Sequence, residues 1–140
     1  MSPLQDECID RHSKKLFVVE ENRSKVMFEN ATRHNIDQIE VDGCAIVDGP
    51  RCDWLINVDK TQQSVFVELK GSNVPHAVEQ LTHAHDGLRE IRKPNVTWII
   101  NSQRCPLTST EVQSLTIKLR KHKGVRLILR NSPVTFVLNQ

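Results

Sequence analysis

The sequence predicts an α/β (α+β) fold with one mixed β-sheet flanked by helices. Three observations carry this reading. Short β-branched and aromatic runs recur along the first half of the chain. A long apolar stripe of helical period follows them from Val74 to Ile91. A second helical segment, opened by Thr108-x-x-Glu111 and closed by Gly124, then precedes two last apolar runs. The resulting order is strands, helix, strand, helix, strands.

Residues 2 to 13 are polar with Leu4, Cys8 and Ile9 at near-helical spacing, which suits a short N-terminal helix. Leu16 to Glu20 and Lys25 to Glu29 read as a strand pair around Glu21-Asn22-Arg23-Ser24. Ile39 to Val41 and Cys44 to Val47 read as a tight hairpin, because Asp42-Gly43 suits a turn with positive φ. Cys52 to Val58 and Val65 to Leu69 form the next pair across a polar connection. Ser72-Asn73 can cap a helix with Pro75 in its first turn. Val74, Ala77, Val78, Leu81, Ala84, Leu88 and Ile91 make its apolar stripe, and Lys93-Pro94 ends it. Val96 to Ile100 is apolar on both faces and suits a buried central strand. Thr108 and Glu111 form a capping box, Val112, Leu115 and Leu119 share one face, and Gly124 closes the helix. Val125 to Leu129 and Val134 to Leu138 finish as two strands about Asn131-Ser132-Pro133.

The chain has 140 residues, 38% hydrophobic and 26% charged, enough for a core without staples. Its apolar runs, such as Val96 to Ile100, fall far short of the roughly 20 residues a membrane helix needs. With no basic segment leading into an apolar stretch at the N-terminus, a cytoplasmic protein that engages no membrane is expected. The four cysteines, Cys8, Cys44, Cys52 and Cys105, contain no C-x-x-C pair, so free and largely buried thiols are expected rather than zinc ligands or disulfides. The net charge is only +2, but Lys118, Arg120, Lys121, Lys123, Arg126 and Arg130 cluster near the C-terminus. That block reads either as a solvated helix face or as a phosphate-tracking surface, with Lys118, Lys121 and Arg126 the candidate nucleic-acid contacts.

The segment from Asp53 to Gly71 carries the chemistry. Glu68 and Lys70 alternate with Val67 and Leu69, so they share one face of a strand that is otherwise apolar. Acid-x-Lys is common on exposed edge strands, but charges inside a central strand need a reason, since unpaired burial is costly. Asp53, one hairpin upstream, can meet Glu68 near the strand ends. Two carboxylates offer hard oxygen ligands to Mg²⁺ or Mn²⁺, and an ammonium beside a metal-bound water can orient it and balance phosphoryl charge. Gln80, at the edge of the helical stripe, is placed to reach such a water or a phosphate, or else is a partly exposed polar residue. His76, His83 and His85 read as solvent-exposed helix histidines rather than a metal pair. Trp54, Phe66 and Trp98 read as core rather than as base-stacking platforms.

Asp53, Glu68-Leu69-Lys70 and the helix that follows resemble the core of the PD-(D/E)xK nuclease superfamily. The resemblance runs from Cys44 to about Thr82 and continues into the later strand-helix-strand order. It implies a restriction-endonuclease-like fold and a Mg²⁺-dependent phosphodiesterase with Asp53 and Glu68 as metal ligands and Asp53, Glu68, Lys70 and Gln80 as catalytic residues. Cys52 stands where the motif's name has proline. The chain has no tyrosine, and Ala84 lies four residues after Gln80, which departs from the exonuclease branch and favours an endonuclease. Members often add a glutamate from an N-terminal helix, for which Glu7, Glu20 and Glu29 are the candidates. Asp42 is better explained by its turn.

The expected organisation is one nuclease-like domain over 1–140, with N-terminal elements in 1–35, the metal-site core in 36–102 and the C-terminal helix and strands in 103–140. The expected partner is nucleic acid, DNA before RNA, with a homodimer or larger complex needed to cut a duplex. The alternative is a catalytically silent nucleic-acid- or protein-binding module of the same fold, or a subunit of a larger defence, repair or mobile-element complex.

Overall fold

The computed structural model describes residues 6–21, 24–49, 51–69, 73–102 and 107–139. After a 3₁₀ turn at Asp6–Cys8 come β1 (Ile9–His12), β2 (Leu16–Glu21), β3 (Ser24–Glu29), β4 (Ile36–Glu40), β5 (Trp54–Val58) and β6 (Gln63–Leu69). Then follow α1 (Val74–Gly87), β7 (Asn95–Ser102), α2 (Ser109–Lys123), β8 (Arg126–Asn131) and β9 (Val134–Val137). The class is mixed α+β, as the sequence predicts, but the strands form two sheets rather than one. The larger runs β1-β4-β5-β6-β7-β8, antiparallel as far as β6 and parallel from β6 to β8. The smaller runs β2-β3-β9, with β9 parallel to β3 from Val26↔Val134 to Glu29↔Val137. Both final strands exist where expected; β9 leaves the large sheet because only there do Val134 and Phe136 find an apolar face to bury against.

The large sheet is a middle layer. On one face Leu55, Phe66, Trp98 and Ile100 pack against Val74, Ala77, Leu81 and Ala84 of α1 and Leu119 of α2. On the other, Ile56, Val65, Val67, Leu69 and Ile99 pack against Phe17, Val19, Val26, Phe28 and Phe136 of the small sheet. All seven residues of β6 are therefore buried. Each large apolar side chain taken from water contributes about 1.5–3 kcal/mol, so this strand is fixed firmly enough to hold Glu68 in the same buried row.

Local signals set the helix ends. Asn73 Oδ1 accepts from the His76 N–H at 3.1 Å, with Pro75 in the first turn; Ser72 lies outside the described residues. The α1 helix stops at Gly87, earlier than the expected Lys93-Pro94. Gly87 is a poor helix former, and the Leu88 N–H closes onto Ala84 O. Leu88 and Ile91 still pack on the helix-side core, but from the turn that follows. In α2 the capping box of Thr108 and Glu111 is complete, and Gly124 takes φ +67 as the left-handed cap.

Two further expectations fail for topological reasons. Gly43 has φ +75 as Asp42-Gly43 suggests, yet no hairpin forms there, because β1 and β5 already occupy both edges of β4. Residues 41–46 instead make a compact turn. Near the N-terminus, Ile9–His12 is an edge strand in register with Ile36–Ile39, not a helix. That pairing sets Cys8 beside Cys44, with Cα atoms 5.7 Å apart, and the two form a disulfide across a sequence separation of 36. Reading all four cysteines as free thiols is thus wrong for this pair. Cys52 is free and buried as expected, and Cys105 lies outside the described residues.

Candidate active site

Asp53 immediately precedes β5, and continuation of the Trp54↔Val67 register sets it opposite Glu68. Its backbone is held on both sides. The Asp53 N–H donates to Val67 O at 3.0 Å, and Asp53 O accepts from the Val41 N–H at 3.0 Å. Its side chain is held too: Oδ2 accepts from the Leu69 N–H at 2.7 Å. Glu68 is 7% exposed, and a side-chain hydrogen bond joins the two carboxyl groups. The structure therefore brings together the two acids that the sequence singled out, at the end of a fully buried strand.

Two carboxylates in contact cannot both ionise cheaply away from water. Burial, and next the charge of Asp53, push Glu68 from 4.5 up to about 9. Burial also raises Asp53, while the Leu69 N–H and the bond from Glu68 act in the opposite sense and favour its charged form. At neutral pH the pair holds one proton, on the Glu68 side. Burial pushes the neighbouring Cys52 thiol up, and the charges of Glu68 and Asp53 add to that, so it stays an inert thiol.

Asp53 also faces a cavity of about 230 Å³ lined by Glu20, Glu21, Glu40, Asp42 and Trp54. Of the three N-terminal candidates Glu7, Glu20 and Glu29, Glu20 lines this cavity. Glu29 is at the opposite end of its strand, in register with Leu16. Glu21 and Glu40 escaped the sequence reading: each is the last residue of a strand, and nothing in sequence separates such a residue from a solvated strand end. Asp42 has the turn expected of it but also lines the cavity, where it accepts from Arg51 Nε at 2.7 Å. Trp54, expected in the core, is half-buried on the cavity wall.

Lys70 and Gly71 lie outside the described residues; Lys70 follows the residue whose N–H Asp53 holds. Gln80 is half-buried on α1, and no hydrogen bond joins it to the acidic pair among the described residues. Lys118 and Lys121 are exposed on α2, and Arg126 is exposed at the start of β8. Arg126 is in register with Thr97 and through it with Val65, so it stands two strands across and three residues back from Glu68, about 10 Å in each direction. His76 and His83 are exposed as expected, but His85 is not. It is 5% exposed between Phe66 and Trp98, with ring centroids 5.8 and 5.6 Å away, and burial followed by Arg92 lowers it to about 4.

The donor set suits a hard divalent cation. Two contacting carboxyl groups retain a proton where a dication would displace it, and Mg²⁺ binds through one or two carboxylates while keeping several waters. No group of three His, Cys, Asp or Glu side chains forms a complete protein cage among the described residues. Comparison with protein-family models, curated proteins and solved structures finds no match to this chain. No helix among the described residues is long and apolar enough to cross a membrane.

Proposed function

We propose that this chain is a divalent-metal-dependent phosphodiesterase that cuts nucleic acid, DNA before RNA, on a restriction-endonuclease-like core. The observation that supports it best is the Asp53–Glu68 contact within a strand whose every other residue is uncharged and buried. A carboxyl pair in that position is costly unless it has a task. Asp53 and Glu68 would hold Mg²⁺ or Mn²⁺. When bound, that ion would supply Lewis-acid activation of a water and neutralise charge on the scissile phosphate.

The chain's own residues do the rest. The Leu69 N–H and the backbone bonds of Asp53 fix the carboxylate's direction before any ligand arrives. Glu68, which holds the pair's proton, would give it up to the solvent when the cation binds. Lys70, two residues beyond Glu68 in sequence, would serve as the ammonium that orients the attacking water and meets the phosphoryl charge. A duplex cut calls for a second site, which a second copy of this chain would supply.

The test is cleavage of a panel of duplex, single-stranded and branched DNA and of RNA, with Mg²⁺ or Mn²⁺, wild type beside Lys70→Ala. The expected result is metal-dependent cutting that the substitution abolishes. A folded, metal-loaded protein that cuts nothing in the panel would leave the silent binding module or the subunit of a larger complex as the better reading.

A further inference from the structure

At the other end of the large sheet, the first residues of β6, β7 and β8 and the last turn of α2 enclose a second cavity, of about 290 Å³. Its polar lining is Gln63, Asn95, Thr97, Arg120, Arg126 and Asn139, with no carboxylate. Other cations of the protein are engaged: Arg51 with Asp42, Arg11 with Asp37, and Lys93 with Asp59 on this same edge. Arg120 and Arg126 have no acidic partner among the described residues. Two guanidinium groups that share one concavity repel each other, and an anion between them removes that cost.

The surrounding groups favour an anion as well. Gln63 Oε1 is taken by the Asn139 N–H at 3.2 Å, so what Gln63 has left to offer is its NH₂ donor. The last turn of α2 adds Lys121, His122 and Lys123 to Arg120. Carbonyl ends of a helix repel anions, but here the Gly124 and Val125 N–H groups cap Arg120 O and Leu119 O. The space is larger than a carboxylate needs, and paired arginines match the oxygens of a phosphate with charge-assisted, forked hydrogen bonds.

We propose that this cavity is a phosphate-binding site in which Arg120 and Arg126 clamp the phosphate group of a small phosphorylated molecule or of a nucleic-acid backbone. It lies at the opposite edge of the sheet from Asp53 and Glu68 and is tested without metal, so it stands or falls independently of the cleavage reading.

The experiment is an amide-resolved NMR titration of the full chain with inorganic phosphate against chloride at equal ionic strength. Saturable shifts confined to the neighbourhood of Asn95, Thr97, Gly124 and Arg126 are expected. Arg126→Gln and, separately, Arg120→Gln should weaken binding at least fivefold, and Arg11→Gln on β1, the edge strand at the other side of the sheet, should leave it unchanged. Both arginines are exposed, and an unaltered thermal midpoint checks that each variant folds. A single-stranded oligonucleotide and a mononucleotide distinguish the sources. Oligonucleotide binding that phosphate competes away and Arg126→Gln weakens assigns the phosphate to a nucleic-acid strand. Binding of phosphate and mononucleotide without the oligonucleotide assigns it to a small molecule. Shifts that never saturate, that chloride reproduces, or that survive both substitutions overturn the proposal.

Discussion

The Asp53 carboxylate accepts a 2.7 Å hydrogen bond from the backbone N–H of Leu69, the residue that follows its carboxyl partner Glu68. This bond makes the pair unequal. It favours negative charge on Asp53 and leaves the shared proton to Glu68, whose burial pushes it up to about 9. A cation that binds both groups must displace that proton. Mn²⁺ affinity is therefore expected to rise by up to about tenfold per pH unit between pH 6 and 8. Calorimetric titrations in buffers of different ionisation enthalpy should count close to one proton released per ion. Affinity independent of pH over that range would sink the shared-proton description.

Glu68→Gln separates stability from metal binding. A carboxyl group raised in the folded state contributes stability that is fully present below 4.5 and lost as pH rises through about 9. The metal-free wild type should thus weaken from pH 5 to pH 9. The glutamine, which mimics the protonated form, should remove that slope and stabilise the protein at pH 9 on the order of 1–3 kcal/mol. The same change should lower Mn²⁺ affinity at least tenfold. Urea unfolding at both pH values, with and without Mn²⁺, reads all three effects.

The same contact explains why this part of the site was legible in sequence. Glu68 interrupts an apolar strand, and a buried charge in such a run signals a partner. Asp53 is legible because a short hairpin puts it one strand away. The capping box of α2 and the apolar stripe of α1 were legible for the same reason: each is set by residues within a few positions of one another. What the sequence hid was non-local. The transfer of β9 to a second sheet, the Cys8–Cys44 bond and the burial of His85 all depend on which distant segments become neighbours. His85 shows the limit well. Its position on α1 is shared with a buried Ala84, and only the arrival of Trp98 on β7 decides that the ring is enclosed.

His85 is expected to govern part of the acid sensitivity. Its Nδ1 has no partner among the described residues, and burial holds it at about 4, below its ordinary 6.5. The unfolded chain takes up a proton that the folded protein resists. Stability is therefore complete above 6.5 and lost as pH falls toward 4, by up to about 1.4 kcal/mol per pH unit. His85→Leu keeps the volume close to that of the imidazole and removes the titration. Urea midpoints at pH 7, 6 and 5 should fall less in the variant than in the wild type; parallel declines would show that His85 is not responsible.

The Cys8–Cys44 bond ties the edge strand β1 to the turn that follows β4, and that turn supplies the Val41 N–H held by Asp53 O. Closing a loop of this length stabilises by about 3–4 kcal/mol on the chain-entropy account. Reduction, or the Cys8→Ser, Cys44→Ser double variant, is expected to remove most of that. Loosening should start at the edge, because β1 pairs only with β4, whereas β6 is paired on both sides and buried throughout. In hydrogen exchange, amides of Ile9–His12 and Val41–Ile46 should lose protection first, while those of Gln63–Leu69 keep it until global unfolding. Mn²⁺ affinity should fall modestly, severalfold rather than completely, since the Leu69 N–H still orients the Asp53 carboxylate. Equal exchange in the oxidised and reduced protein, with no change in the denaturation midpoint, would mean that strand pairing alone holds this edge.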